Sequence, residues 1–288
     1  MENSQMSTIT LTYGDVCENH VGMQQIGKLA SRGLPTDLLE SVCNMYDGNA
    51  ELVKLGGHVC PESDACVLII RNGVEQLMPG SLDPLYCEQK RLDPDKKALM
   101  RGRVVNKRAR YNLCFSGTAQ APDYEKGKGT IVAFNEVPYT KGLGQKLAQV
   151  FGTAPLECEG NYYFDSNSHI GLHGDTERRI VFGVRLGETM PLMYWWFRNF
   201  QPVGEPVVLN LNHGDIYVMS EKAVGIDWRR SSIMTLRHAA GTVTALKKER
   251  ERILKKVSST TPQVLVVPGS AIAAPTLHVP LDDEISET

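Results

Sequence analysis

His173 and Asp175 stand two residues apart near the end of the run Asn161-Tyr162-Tyr163-Phe164-Asp165-Ser166-Asn167-Ser168-His169-Ile170-Gly171-Leu172-His173-Gly174-Asp175-Thr176-Glu177. Alternate residues of an extended strand share a face, so this spacing aims one imidazole and one carboxylate at the same point. The pair offers one nitrogen and one oxygen ligand to a single metal ion. A second imidazole from elsewhere completes a two-His-one-carboxylate set. That set leaves adjacent coordination positions open, as a non-haem Fe(II) oxygenase needs for a co-substrate and dioxygen. His-x-Asp alone is a short motif with many chance matches, so the surrounding chain decides its meaning.

Elements able to hold such a pair follow from the apolar pattern. From about residue 155 to 241 short strands follow one another: Ile180–Leu186, Met193–Phe197, Val207–Leu211, Asp215–Met219 and Ser232–Arg237. This spacing suggests an antiparallel sandwich or barrel. Upstream, residues 35–46 read as a helix opened by Pro35 or Thr36, and Ala65–Ile70 as a buried strand ended by Asn72-Gly73. Residues 141–152 carry Leu143, Leu147, Val150 and Phe151 at helical spacing, and Trp195 and Trp196 are expected to pack the sheet. The expected division is an N-terminal α/β extension over 1–90, a catalytic domain over 91–245, a charged helix over 246–257 and a disordered tail over 258–288.

Bulk composition removes several function classes. The chain has 288 residues, 42% hydrophobic and 22% charged, with a formal net charge of -2. Global charge therefore does not mark a nucleic-acid binder, and such a role needs a local basic face. Residues 91–115 supply one candidate, with Arg108 and Arg110 leading into Tyr111 and Phe115, and Tyr124 beyond. Basic and aromatic residues interleaved suit phosphate contact and base stacking, although a solvated face beside an ordinary strand has the same composition. Seven scattered cysteines without a Cys-x-x-Cys pair argue against a zinc site or a disulfide framework. No apolar stretch approaches a membrane span and no basic-then-apolar start is present, so an intracellular protein, cytoplasmic or nuclear, is expected.

Segment 161–241 resembles the core of the AlkB-like Fe(II)/2-oxoglutarate oxygenases. Asn161 and Tyr163 match that family's Asn-x-Tyr, and His169 to Glu177 matches its His-Ile-Gly-x-His-x-Asp-x-Glu almost residue for residue. Val184-Arg185-Leu186-Gly187, Leu209-Asn210-Leu211-Asn212-His213-Gly214 and Thr235-Leu236-Arg237 resemble the strands that follow. The resemblance covers about half of the chain. It implies an α+β fold with a double-stranded β-helix (jelly-roll) core and flanking helices. It also implies Fe(II) and 2-oxoglutarate as cofactors, dioxygen as co-substrate, and oxidative demethylation or hydroxylation of a base in DNA or RNA. Asn161, Tyr163 and Arg237 would hold 2-oxoglutarate. Arg110, Tyr111, Phe115, Tyr124 and Glu177 would meet the substrate.

One element of the family pattern is missing. Its second metal histidine follows an Asp-Trp pair, whereas Asp227-Trp228 here is followed by Arg229-Arg230. His238 is the nearest usable imidazole and His213 a second candidate. If His238 faces the metal, strand alternation turns Arg237 away unless the strand is irregular, and Arg230 becomes the alternative clamp. Two rivals stay open: an oxygenase acting on a protein or small molecule, and a non-catalytic binding module that retains the scaffold.

Overall fold

The computed structural model describes residues 8–46 and 48–260. Two sheets dominate. The larger has eight strands in the order Ala50–Lys54, Cys66–Ile70, Ile216–Met219, Val181–Leu186, Thr8–Gly14, Glu157–Tyr163, Tyr111–Ser116, Ile131–Ala133. All its neighbours run antiparallel except the last pair. The smaller sheet has four strands in the order His169–His173, Thr235–Gly241, Met190–Arg198, Gln201–Leu211.

Alternation along the larger sheet builds two cores. Ile9, Leu11, Tyr13, Cys158, Tyr162, Phe182, Val184 and Leu186 face outward and are covered by Leu143, Leu147 and Phe151 of the Pro138–Phe151 helix and by Leu39 and Val42 of the Thr36–Met45 helix. The opposite face packs on the smaller sheet. There Tyr163, Val181 and Tyr217 meet Leu192, Tyr194, Trp196, Leu236 and Ala240. Gly183 permits this: a Cβ there would come within 1.9 Å of the Tyr217 ring, its cross-strand partner. The Val243–Thr260 helix lies over the outer face of the smaller sheet, with Leu246 against Met193 and Ala239.

Most expected elements are present with shifted ends. The final strand runs Thr235–Gly241 rather than 232–237, which brings His238 well inside it. Asn72 takes a left-handed φ of 50° and opens the short Gly73–Leu77 helix, so Asn-Gly here ends the strand and starts a helix. Both tryptophans pack the sheet as expected, their indole nitrogens donating to the carbonyls of Gly204 and Leu55. Residues before position 90 also enter the larger sheet. Thr8–Gly14 lies between Val181–Leu186 and Glu157–Tyr163, inside the sheet that the later residues build. The charged helix extends to Val243–Thr260, and the expected tail from residue 261 onward lies outside the described residues. All seven cysteines are free, and among the described residues no helix is long and apolar enough to cross a membrane.

Candidate metal centre

His173 closes its strand directly opposite His238 on the neighbouring one. Ile170 pairs with Ala240 and His173 with His238, so three steps on one strand match two on the other. This bulge resets the alternation, and His173 faces the inter-sheet space although Leu172 packs outward under the helix. Asp175 lies past the strand end, where its backbone N–H donates to the Val224 carbonyl at 3.0 Å. Gly174 makes that crossing feasible, since a Cβ would sit 2.1 Å from the Gly225 carbonyl oxygen.

The three side chains converge. His173 Nε2 is 3.2 Å from Asp175 Oδ1, and His238 Nε2 is 3.8 Å from the same oxygen. One ligand atom from each residue can be chosen so that all lie within 4.8 Å of one another. An ion roughly 2.0–2.2 Å from each ligand imposes separations of this order. His173 Nδ1 lies 2.8 Å from the Gly171 carbonyl, which sets the tautomer with Nε2 free for a metal. Two imidazoles and one carboxylate suit a borderline divalent metal such as Fe(II) and fall one ligand short of a closed structural zinc site.

Charge around the triad is organised by Arg178, only 5% exposed. Its Nη2 donates to Glu159 at 3.0 Å and its Nε to Glu177 at 3.0 Å, with Asp175 Oδ2 3.7 Å away. Burial alone would raise the Asp175 pKa. Arg178 and the two imidazoles outweigh it and hold the carboxyl well below its usual range. Burial and then the neighbouring Asp175 raise the Glu177 pKa. Glu18, on the same wall, is pushed up to about 7 by burial and by Glu177 and Glu159. A carboxyl raised from 4.5 to about 7 on folding adds stability below pH 4.5 that is lost as pH rises toward 7. Glu18→Gln is therefore expected to flatten the fall in the metal-free melting temperature between those two values. The variant should melt a few degrees above wild type at pH 8, read by thermal melts across pH. Identical pH profiles would remove Glu18 from this balance.

The triad opens on a cavity of about 500 Å³, a size suited to a small ligand. Asn161, Tyr163, Arg110 and Glu177 line it, as do Thr10, Glu18, Trp228 and Arg229. Asn161 Oδ1 accepts from Arg110 Nε at 2.5 Å and from Asn112 Nδ2 at 2.7 Å.

The chain is 45% identical over 243 residues to the protein named "Uncharacterized protein R156" of Acanthamoeba polyphaga mimivirus. The alignment covers 81% of this chain and 95% of the viral protein. The chain belongs to the family of that protein. No protein-family model matches it, and the viral protein's name assigns no activity, so function in this family is read from the site.

Several expected site residues fall elsewhere. Arg237 is on the opposite face from His238, its guanidinium 4.0 Å from the Phe197 ring centroid and 5.1 Å from that of Trp228. Strand alternation decides this, and the interior bulge lies on the partner strand. Arg230 precedes the strand and is exposed. His213 accepts from the Gly187 backbone N–H at 3.0 Å and stacks edge-on against Tyr86, away from the triad. Phe115 is fully buried in the outer core. Tyr111 stacks on Phe164 at 4.2 Å, and the Tyr124 hydroxyl donates to Asp95. None of these three lines the cavity.

Sequence reasoning missed Thr10, Glu18, Glu159, Arg178 and Tyr217 as lining residues. Two signals were available. Thr8–Gly14 reads Thr-Ile-Thr-Leu-Thr-Tyr-Gly, a period-two alternation. Glu159 shares strand parity with Asn161 and Tyr163.

Proposed function

We propose that this chain is an AlkB-like Fe(II)/2-oxoglutarate-dependent dioxygenase built on a double-stranded β-helix, acting on a nucleic-acid base. The observation that carries the reading is the convergence of His173, Asp175 and His238 at the wall of a cavity also lined by Asn161 and Tyr163. Fe(II), 2-oxoglutarate and dioxygen together supply oxidation of a substrate C–H bond coupled to formation of succinate and carbon dioxide. The chain's own part is to bind and position. His173, Asp175 and His238 hold the metal on one side, and the Gly171 carbonyl orients the His173 ring. Arg178 keeps Asp175 ionised. Asn161, with its oxygen already occupied by Arg110 and Asn112, turns its amide N–H groups to a ligand. Burial of Asp175 and His238 between the sheets limits water on that side of the reacting centre.

On the substrate side, Arg110 and Arg229 at the cavity can meet a phosphate, and Glu177 can accept from a base. A second reading, an oxygenase of a protein side chain or small molecule, is favoured by two features. Glu18, Glu159 and Glu177 make the wall partly acidic, and the expected stacking residues Tyr111, Phe115 and Tyr124 do not reach it.

The test is succinate formation from 2-oxoglutarate by protein loaded with Fe(II) without oxygen and then exposed to air. Wild type is expected to turn over at least ~100-fold faster than His173→Ala. Equal rates would leave a binding module as the reading. Methylated oligonucleotides compared with amino-acid substrates as stimulants of that turnover separate the two oxygenase readings.

A further inference from the structure

The family resemblance puts a carboxylate clamp at Arg237, which stacks on aromatic rings outside the cavity, and the alternative Arg230 faces solvent. Another arginine has the required character. Arg185 sits in the middle of Val181–Leu186 and is 0% exposed. Its neighbours Phe182, Val184 and Leu186 pack outward into the helix-covered core, and Val181 packs inward. By alternation the Arg185 side chain enters the space between the sheets.

Its guanidinium is hydrogen-bonded to no carboxylate among the described residues. Nη1 donates to Thr10 Oγ1, the residue directly across the strand pair. Nε and Nη2 are buried and have no hydrogen-bond partner among the described residues. The charged carboxylate that acts on Arg185, Asp215, is committed elsewhere: it accepts from Arg71 Nη1 at 2.6 Å, from the Asn72 N–H at 3.0 Å and from the Asn212 N–H at 2.9 Å. A buried guanidinium without a counter-charge is costly, and burial lowers its pKa accordingly. The two open nitrogens flank one edge of the planar guanidinium, the fork that takes both oxygens of a carboxylate.

The position adjoins the cavity without lining it. Thr10 pairs with Arg185 on one side and with Asn161 on the other, so the three residues form a row across the sheet. Thr10, Asn161, Tyr163 and Tyr217 line the cavity. Tyr163 pairs with Thr8 and Tyr217 with Gly183, so both stand two residues along from this row on the same face of the sheet. The triad and the Thr10–Asn161 end of this row line the same cavity.

We propose that Arg185, held by Thr10 of the N-terminal strand, is the residue that clamps the distal carboxylate of a short dicarboxylic keto acid whose other end meets the metal. This rests on the oxygenase reading above and assigns a role that neither Arg237 nor Arg230 fills. It makes the N-terminal strand part of the co-substrate site.

The experiment is equilibrium binding, by calorimetry without oxygen, to full-length protein loaded with Mn(II). The ligands are 2-oxoglutarate and 2-oxobutyrate, which lacks the distal carboxylate. Wild type is expected to prefer 2-oxoglutarate by about 100-fold, the effect of two charge-assisted hydrogen bonds. Arg185→Met is expected to bind 2-oxoglutarate about 100-fold more weakly and to lose the preference, while Mn(II) binding stays at the wild-type level. Arg237→Met should keep wild-type affinity. If wild type prefers 2-oxoglutarate but Arg185→Met does so equally, the Arg185 assignment is wrong and the oxygenase reading stands. If metal-loaded wild type binds neither keto acid, both fall. Should Arg185→Met fail to fold, the wild-type preference still decides: equal binding of the two ligands overturns the clamp, and loss of the preference in Arg237→Met overturns its assignment to Arg185.

Discussion

A chain carrying Asp175→Ala is expected to bind Mn(II) or Fe(II) at least ~100-fold more weakly than wild type, and to melt only a few degrees lower without metal at neutral pH. Asp175 is the anionic member of the triad, and its Oδ1 lies within 3.2 Å and 3.8 Å of the two imidazole nitrogens. Removing it takes away both a ligand and the charge that offsets a divalent cation. Changing a group that only orients a ligand costs roughly 10–100-fold in metal affinity, and loss of the ligand itself should exceed this. The loss of stability is limited because Arg178 keeps Glu159 and Glu177, each at 3.0 Å, and is not left unpaired. Arg178→Met should fall between the two, in the 10–100-fold range. Proton competition sharpens the test. Burial and His173 push His238 down to about 3, so it is neutral and ready to ligate at neutral pH. Burial works against a charged His173, but the Asp175 hydrogen bond and charge prevail and raise its pKa above 6.5. A metal must displace that proton, so wild-type affinity should climb as pH rises through the raised His173 value. Calorimetry across pH reads both effects, and undiminished metal affinity in Asp175→Ala would mean that the ion binds elsewhere.

How far the sequence carried this centre can be argued from its members. His173 and Asp175 were legible because both ligands lie within one short motif. The reason first given for their convergence, alternation along one strand, is only half of the geometry. Asp175 is beyond the strand, and a bulge between Ile170 and His173 turns the histidine inward. A bulge depends on pairing with a distant strand, and no local pattern announces it. His238 was reachable by the conflict with Arg237: one had to face away, and alternation on an unbulged Thr235–Gly241 decided which. Arg185 was visible as a charge inside an apolar strand, Val-Phe-Gly-Val-Arg-Leu. Its meaning waited for the tertiary partner, because nothing local tells whether a strand arginine meets a carboxylate, solvent or neither. The places of Phe115, Tyr111 and Tyr124, away from the cavity, were not legible for the complementary reason. An aromatic residue reads the same in a core as at a binding face, and packing against the Phe164 ring or a hydrogen bond to Asp95 is a property of the fold.

The second large effect concerns the strand that sequence reading left inside an extension of unknown role. A chain that starts at residue 15, or a fragment starting at residue 91, is expected not to fold. Thr8–Gly14 is paired on both sides, to Glu157–Tyr163 and to Val181–Leu186. Its removal leaves two facing edges, separated by the width of a strand, with their backbone groups unpaired. It also removes Ile9, Leu11 and Tyr13, each at most 2% exposed, from the outer core. At ~1.5–3 kcal/mol for each buried side chain, about 4.5–9 kcal/mol is lost before any hydrogen bond is counted. That matches the whole stability of a typical domain, ~5–15 kcal/mol. The fragment from residue 91 loses more, since Ala50–Lys54 and Cys66–Ile70 also extend the sheet and Ile70 pairs with Ile216. Thermal melts followed by circular dichroism, with amide dispersion in NMR, read the outcome. A cooperative transition in either truncated chain would mean that the sheet closes without its N-terminal strand. The same result would detach Thr10 from the argument for Arg185, because the hydroxyl that receives Nη1 arrives on that strand alone.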